Sequence, residues 1–395
     1  METVSFKNHL NHRLAALRER DLFRELRRVD SPQLPRIKIG GGTFLNFSSN
    51  DYLGLANDPI LKEAAIKAVE KFGAGAGASR LVCGSLTPFH ELEEELAGFK
   101  KTGATLTFSS GYATAIGTIC ALVGSDDIIV VDKLVHASIV DAARLSGAKL
   151  RVFAHNNLND LEDILKWARK ESRHPSPVTR HILIVTESIF SMDGDAAPLR
   201  EIAGLKNKYG AWLMVDEAHA TGLYGKHRRG LAEELGVSGQ IDIQMGTLGK
   251  ALGSSGGYIC GARALIDLLV NRARSFIFST APVPGAAAAA TAAIQFIRSK
   301  SGATRCDLLW KRVRKFNSEF RIPNSEFQSA IVPILIGNET KAVEAATRLY
   351  ERGIFIPAIR YPTVARNAAR LRVTLTAAHG AEDVSQLLTA LADLK

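Results

Sequence analysis

The sequence predicts an α/β protein built on a mainly parallel sheet, followed by a smaller α+β lobe. Three observations predict this. From about residue 105 to 260, short apolar runs alternate with amphipathic stretches long enough to be helices, the pattern of a sheet covered on both faces. Several of the runs pass directly into polar or Gly residues, as strands do where they leave a sheet at a ligand crevice. Beyond Pro282 and Pro284 the order changes to a long Ala-rich helix and then strand, helix, strand, helix.

The predicted strands of the sheet are Thr105–Phe108, Ile128–Val131, Leu150–Phe153, Ile182–Thr186, Trp212–Val215, Ile241–Met245 and Gly257–Cys260. Their polar exits are Ser109-Ser110-Gly111, Asp132, Glu187-Ser188 and Asp216-Glu217. The smaller lobe is predicted as a strand over Ile331–Ile336, a helix over Lys341–Arg352, a strand over Leu371–Thr376 and a helix over Glu382–Leu394. Met1–Asp30 reads as a polar, Arg-rich helix without the charged, apolar and small-residue succession of a secretory signal. Gly73–Gly77 lacks the strand-to-helix setting of a dinucleotide fingerprint and reads as a loop that permits close backbone approach.

A chain of 395 residues exceeds the size at which one core tends to divide, so two lobes are expected. The expected divisions are an N-terminal helical segment over 1–45, a large α/β domain over 46–284 and a small α+β domain over 285–395. A hydrophobic fraction of 46% and a charged fraction of 23% belong to a globular protein. The Ala run Ala286–Ala293 suits a tightly packed helix rather than a membrane span, and a cytoplasmic protein is expected. Cys83, Cys120, Cys260 and Cys306 lie far apart without a C-x-x-C pair, so the spacing suggests neither a zinc site nor a disulfide scaffold. The net charge of +10 suits an anionic small substrate or an acidic carrier protein. No basic run interleaved with aromatics points to nucleic acid.

The chemistry is expected where strands end. Asp216 closes the run Trp212-Leu213-Met214-Val215, with His219 three residues on. A buried acid needs a cationic partner, and a protonated pyridine nitrogen is one such partner; a helix-capping Asp beside a structural His is the plain alternative. Asp216-Glu217-Ala218-His219 also spells a helicase box, but position 244 is Gln and position 251 is Ala, so no phosphate loop surrounds Gly249-Lys250. Lys250 stands among small and apolar residues beyond a strand, a setting that lowers an amine's pKa and favours Schiff-base formation. Thr247 is placed to bond a phosphate. Ser109-Ser110-Gly111-Tyr112 leads from a strand into a helix and offers backbone N–H groups to an anion. His136 follows another strand and is suited to stacking on a planar group or to moving protons.

These segments, in this order, resemble the α-oxoamine synthase family of pyridoxal-phosphate enzymes, whose fold is the aspartate-aminotransferase-like fold type I. The resemblance runs from about Phe44 to Leu391. It is carried by Asn46 to Leu55, the loop through Gly84, Ser109–Tyr112, His136-Ala137-Ser138, Thr186 to Gly194, Asp216–His219, Thr247–Lys250 and Ala358 to Val364. The sequence departs from the family at Tyr361 and Ala365, where Pro is usual, and at Glu217, often Asp.

The resemblance implies pyridoxal 5'-phosphate as the cofactor and 46–284 as the domain that binds it. Lys250 would bond the cofactor covalently and take the substrate's α-proton. Asp216 would pair with the ring nitrogen, His136 would lie over the ring face, and His219 and Ser191 would sit near the phenolic oxygen. Gly111, Tyr112 and Thr247 would hold the phosphate, joined by Thr280 from a partner subunit, which implies a homodimer with shared sites. Asn50 and Arg360 would bind the amino-acid carboxylate, with Arg372 as the alternate partner. The implied reaction joins an amino acid to an acyl thioester, carried by coenzyme A or a carrier protein, with loss of carbon dioxide. Arg151 to Asn157 and Leu371 to His379 carry a likeness to members that join alanine to a pimeloyl thioester. Members that use glycine with acetyl-CoA, or serine with palmitoyl-CoA, are the rivals, and a catalytically silent partner subunit is a further one.

Overall fold

The computed structural model describes residues 5–171, 181–320 and 329–394. In chain order its strands are β1 (Arg36–Ile39), β2 (Gly42–Asn46), β3 (Ala104–Phe108), β4 (Ile128–Asp132), β5 (Lys149–Phe153), β6 (Ile182–Glu187), β7 (Trp212–Asp216), β8 (Ile243–Thr247), β9 (Gly257–Gly261), β10 (Ile331–Gly337), β11 (Ile354–Phe355), β12 (Ala358–Ile359) and β13 (Ala369–Thr374). The chain divides into two compact units.

The larger unit comprises residues 53–191 and 195–307. Its seven-stranded sheet has the order β3-β9-β8-β7-β6-β4-β5. Strands β5, β4, β6, β7 and β8 run parallel, and β9 alone is reversed, pairing antiparallel with both β8 and β3. Central strands buried on both faces read as unbroken apolar runs. Ile128 to Val131 and Leu183 to Val185 are at most 1% exposed. Because β3 has the same sense as β8, the C-terminal ends of β3, β4, β6, β7 and β8 share one edge, and the predicted polar exits meet there.

Six of the seven predicted strands lie within or one residue from the observed ones. The exception is Ile241–Met245, which the structure shifts to Ile243–Thr247. A 3-10 turn over Ser238–Gln240 uses Ile241 as its C-cap, and pairing with β7 begins at Met214↔Ile243. The shift brings Thr247 to the strand end. The Ala-rich helix spans Pro284–Arg298 with Pro at its start and packs against the helices Pro59–Phe72 and Thr87–Lys100. It therefore belongs to the larger unit, and the change of unit falls after Asp307 rather than at 284.

Glu217, the departure from the usual Asp, has a physical partner inside this unit. Its Oε2 lies 2.6 Å from Lys100 Nζ, with both side chains buried. Lys100 also donates to the Arg229 carbonyl at 2.5 Å, and Glu217 Oε1 accepts the Ala232 N–H at 2.9 Å. Burial opposes the ammonium, but the Glu217 charge, its hydrogen bond and the neighbouring Tyr258 and Cys260 together outweigh it and hold Lys100 above the usual lysine range. The longer acid thus anchors the turn after β7 to the end of the helix Thr87–Lys100. Gly73, Gly75 and Gly77 have no atom within 4 Å of an added Cβ, so the expected close approach is not seen among the described residues. Positive φ at Gly73 and Gly77 accounts for glycine at those two positions.

The smaller unit comprises residues 1–52, 192–194 and 308–395, so the 1–45 segment belongs with the C-terminal lobe by its contacts. Strands β1 and β2 form an antiparallel hairpin extended by parallel β11, and β10, β13 and β12 form an antiparallel sheet. The helix predicted over Met1–Asp30 spans only Phe6–Arg18, its first four residues lying outside those described. Asp21 takes φ 53, and the N–H groups of Leu22 and Phe23 both turn back to the Leu17 carbonyl, ending the helix without a Gly or Pro.

His379 is packed flat on Phe47, with ring centroids 4.2 Å apart. Its Nδ1 accepts the Thr376 N–H at 2.9 Å, and its Nε2 donates to the Asn46 carbonyl at 3.0 Å. That bonding fixes the neutral ring, and burial pulls its pKa down to about 4 from 6.5. The unfolded chain binds the proton first, so acid favours unfolding as the pH falls from about 6.5 to about 4. The neutral ring's full contribution, about 3 kcal/mol, is present above that window and lost below it. Denaturant titrations at pH 7 and pH 4 should show a smaller acid loss for His379→Gln than for the wild type. Equal losses in the two proteins would contradict the assignment.

Candidate active site

The predicted residues of the larger unit gather at the common edge of strand ends. Asp216 ends β7, is 6% exposed, and accepts the Ala218 N–H on Oδ1 at 2.9 Å. His219, carried round by the turn that Glu217 anchors, places Nε2 2.7 Å from Lys250 Nζ. Lys250 follows β8 in the turn Leu248–Ser254, closed by the Ser254 N–H on the Leu248 carbonyl. Burial raises the Asp216 pKa, and the nearby Lys250 charge opposes that rise. An acid, an amine and an imidazole are thus brought together from two adjacent strands.

His136 caps the helix Ala137–Leu145. Its Nδ1 accepts the Ser138 N–H at 3.2 Å and lies 2.8 Å from the Ser138 hydroxyl, so Nδ1 carries no proton and the neutral ring bears it on Nε2. Burial lowers its pKa; the Asp216 charge opposes this and the Lys250 charge adds to it. The ring is therefore a neutral one, suited to lying against a flat group.

The helix start expected after β3 also forms. Ser110 caps the helix Gly111–Leu122 by accepting the Ala113 N–H at 3.1 Å. A Cβ on Gly111 would stand 3.9 Å from Thr247 Cβ, so the helix start and the end of β8 face each other. Thr247 donates to the Gly256 carbonyl at 3.0 Å and accepts the Gly249 N–H at 3.2 Å. The Tyr112 hydroxyl instead donates to Asp141 at 2.7 Å. Thr280 is exposed and forms a β-bridge with Ser79.

Sequence reasoning gave Glu187 no role although it ends a strand exactly as its neighbour does in register: Glu187 pairs with Asp216 across β6 and β7. It is 2% exposed, and its Oε2 accepts the Ser191 N–H at 3.2 Å. Its Oε1 has no hydrogen-bond partner among the described residues. Burial, and then the Asp216 charge, push its pKa up to about 8. Of two carboxyls side by side, Glu187 therefore keeps its proton at neutral pH, while the Lys250 charge favours the ionised form of Asp216. The signal available in sequence was its place, an acid directly after the expected strand Ile182–Thr186.

Asn50, Arg360 and Arg372 belong to the smaller unit. Arg372, in β13, donates to Asn50 Oδ1 at 3.0 Å and to the Thr374 hydroxyl at 2.9 Å. Arg360 is turned elsewhere, donating to the backbone carbonyls of Asp21 and Phe23. The structure thus brings Asn50 together with Arg372 and not with Arg360.

Residues 43–391 match the family Aminotransferase class I and II. The chain belongs to that family as an α-oxoamine synthase. It is 48% identical over 386 residues to an 8-amino-7-oxononanoate synthase of Anaeromyxobacter sp. strain Fw109-5, covering 98% of this chain and 95% of that one. The enzyme of the same name from Thermoanaerobacter pseudethanolicus is 43% identical over 393 residues, covering 99% and 97%. Among solved structures, a serine palmitoyltransferase of Sphingomonas wittichii superposes with a TM-score of 0.89 at 30% identity, covering 100% and 98%. A structure of SPT with PLP has the same TM-score at 27% identity and the same coverage. The α-oxoamine synthase fold is the fold type I transferase fold, which the mainly parallel sheet displays.

Within the α-oxoamine synthases the donor set suits a pyridoxal group. The Asp216 carboxyl beside Lys250 would match a protonated ring nitrogen, the neutral His136 would match a ring face, and the backbone N–H groups at the start of the helix Gly111–Leu122 would match a phosphate.

Proposed function

We propose that this protein is a pyridoxal-phosphate-dependent 8-amino-7-oxononanoate synthase. It joins L-alanine to a pimeloyl thioester, releasing carbon dioxide and a free thiol, in biotin biosynthesis. The observation that carries the reading is the cluster of Lys250, His219 and Asp216 at the strand ends, with Lys250 Nζ 2.7 Å from His219. Identity of 43–48% to enzymes of that name over nearly their whole length favours alanine and a pimeloyl group over glycine or serine chemistry.

When bound, pyridoxal phosphate supplies the electron sink that lets bonds at the amino acid's α-carbon break. The chain's residues do the rest. Lys250 would anchor the cofactor through its amine and, once the alanine amine had displaced it, would be the free base that takes the proton from the alanine α-carbon. Asp216 holds a negative charge against the ring nitrogen, and protonated Glu187 beside it adds no second charge. His136 would lie on the ring face, and His219 and Ser191 would hold the phenolic oxygen. Gly111, Tyr112 and Thr247 would hold the phosphate.

Asn50 and Arg372 bind the alanine carboxylate, since a guanidinium fork already oriented by Asn50 and Thr374 suits a planar anion. Arg372→Ala should raise the KM for alanine about 10- to 100-fold, the scale of lost hydrogen bonds to a charged group. Arg360→Ala should leave that KM within a few-fold, and steady-state kinetics at varied alanine would separate the two. The reverse order would assign the carboxylate to Arg360.

The enzyme is proposed to act as a homodimer, with Thr280 reaching the partner's phosphate. Val82, Phe278 and Val283 are 78%, 70% and 50% exposed, and the Ser79–Thr280 bridge joins their two segments into an apolar surface that suits a subunit contact. Four free cysteines fit a reducing cytoplasm. No helix among the described residues is long and apolar enough to cross a membrane. The test is to incubate the holoenzyme with carboxyl-labelled alanine and pimeloyl-CoA, or the pimeloyl carrier protein. Labelled carbon dioxide and 8-amino-7-oxononanoate in equal amounts are expected. Product from glycine and acetyl-CoA alone would overturn the substrate assignment.

A further inference from the structure

His155 lies outside every role assigned above, yet it sits in a dense polar cluster of the larger unit. Its Nδ1 is 2.9 Å from Asp132 Oδ1 and its Nε2 is 2.7 Å from Asp195 Oδ2. Ionised carboxylates only accept hydrogen bonds, so a ring with a carboxylate at each nitrogen bonds both only when both nitrogens carry protons. The two charges facing it come from β4 and from the loop after β6, and the Phe190 ring meets it edge-on at 4.4 Å. The next residue repeats the bridge: Asn156, at φ 55, donates its backbone N–H to Asp132 Oδ2 at 2.9 Å. Its side-chain amide donates to Asp195 Oδ2 at 3.0 Å and to the Ala196 carbonyl at 3.1 Å.

Each aspartate governs a segment that carries a cofactor residue. Asp132 Oδ1 also accepts the Leu134 N–H at 2.8 Å, which shapes the turn leading to His136. Asp195 accepts the Phe190 N–H on its carbonyl, and Ile189 bridges Ala196, which closes the loop containing Ser191.

We propose that His155 is a positioning residue: a doubly protonated imidazole that ties Asp132 to Asp195 and so holds the His136 turn and the Ser191 loop in one arrangement. The two bonds to carboxylates raise the ring's pKa to about 10 against the opposing effect of burial, which keeps the cation through the neutral range. This rests on the reading above that His136 and Ser191 contact the cofactor.

The test has two parts. In the holoenzyme at pH 8, histidine-selective nitrogen-15 NMR, with the His155 signals assigned by their absence from His155→Gln, should show both ring nitrogens protonated. A neutral ring at that pH would overturn the proposal, and this measurement needs no folded variant beyond the assignment. In the second part, His155→Ala and His155→Gln should bind pyridoxal phosphate at least about tenfold more weakly, the scale of one lost charge-assisted hydrogen bond. The visible circular dichroism per bound cofactor should also change, while apoprotein melting stays within a few degrees. Unchanged affinity and dichroism, with lower melting alone, would mark His155 as merely structural. His136→Ala and Ser191→Ala are measured beside them. If those alter the dichroism and the His155 variants do not, the clamp fails alone; if none does, the assignment of His136 and Ser191 to the cofactor fails and the clamp with it.

Discussion

Replacing Lys250 by alanine is expected to abolish turnover and leave the protein folded. The lysine has two tasks, anchoring the cofactor and taking the α-proton, and the second alone is worth about 10²–10⁴ in rate. A loss of more than about 10³-fold in kcat is therefore expected, with pyridoxal phosphate dissociable by dialysis. The fold should persist because Lys250 lies in a turn beyond β8 and contributes nothing to the apolar runs of the sheet. Melting temperature and far-ultraviolet circular dichroism would check this. A K250A enzyme within tenfold of the wild type would remove Lys250 from the chemistry.

The second large effect separates two neighbouring acids. Asp216→Asn removes the charge that keeps the ring nitrogen protonated and should lower kcat by about 10²–10³-fold, the scale of losing one preorganised electrostatic partner. Glu187→Gln should stay within a few-fold at pH 7. The amide copies a neutral carboxyl: its oxygen can accept the Ser191 N–H, and its NH₂ stands where Oε1 and the proton stood. Burial and the Asp216 charge raise the Glu187 pKa to about 8, so ionisation begins only as the pH passes into the alkaline range. The wild-type enzyme should then lose kcat as a second buried charge appears beside Asp216, and E187Q should not. A large loss in E187Q at pH 7 would show that Glu187 acts as a carboxylate. Equal behaviour of D216N and E187Q would contradict the assigned proton.

Much of this was legible in the sequence, for a definite reason. Strands such as Ile128–Val131 and Ile182–Val185 are buried on both faces, so their letters alone mark them, and polar residues directly after them mark the edge where ligands bind. That rule points to Lys250, Asp216, His136 and His219, and the structure places Lys250 beside His219 near Asp216. Glu187 was passed over because its role depends on register with Asp216, and register across β6 and β7 is not written in either strand by itself. The same holds for Asn50 with Arg372, which only the fold of β13 brings to the same spot. The N-terminal helix was overextended because residues 19–30 keep helix-forming letters. Its end is set by a left-handed Asp21 and by carbonyls that Arg360 collects from a distance in sequence. His155 and Asn156 stood in a recognised segment, but the two aspartates they join lie 23 and 39 residues from them, beyond any local pattern.

The most direct test of the central claim is a visible absorption titration of the purified holoenzyme with alanine, glycine and serine in turn, each followed by pimeloyl-CoA. The account predicts that alanine perturbs the cofactor band at the lowest concentration. It also predicts that pimeloyl-CoA then produces a transient long-wavelength band, followed by 8-amino-7-oxononanoate. A band that does not respond to any amino acid would contradict a catalytic site at Lys250. A response and product confined to glycine or serine would keep the α-oxoamine synthase chemistry and overturn the substrate.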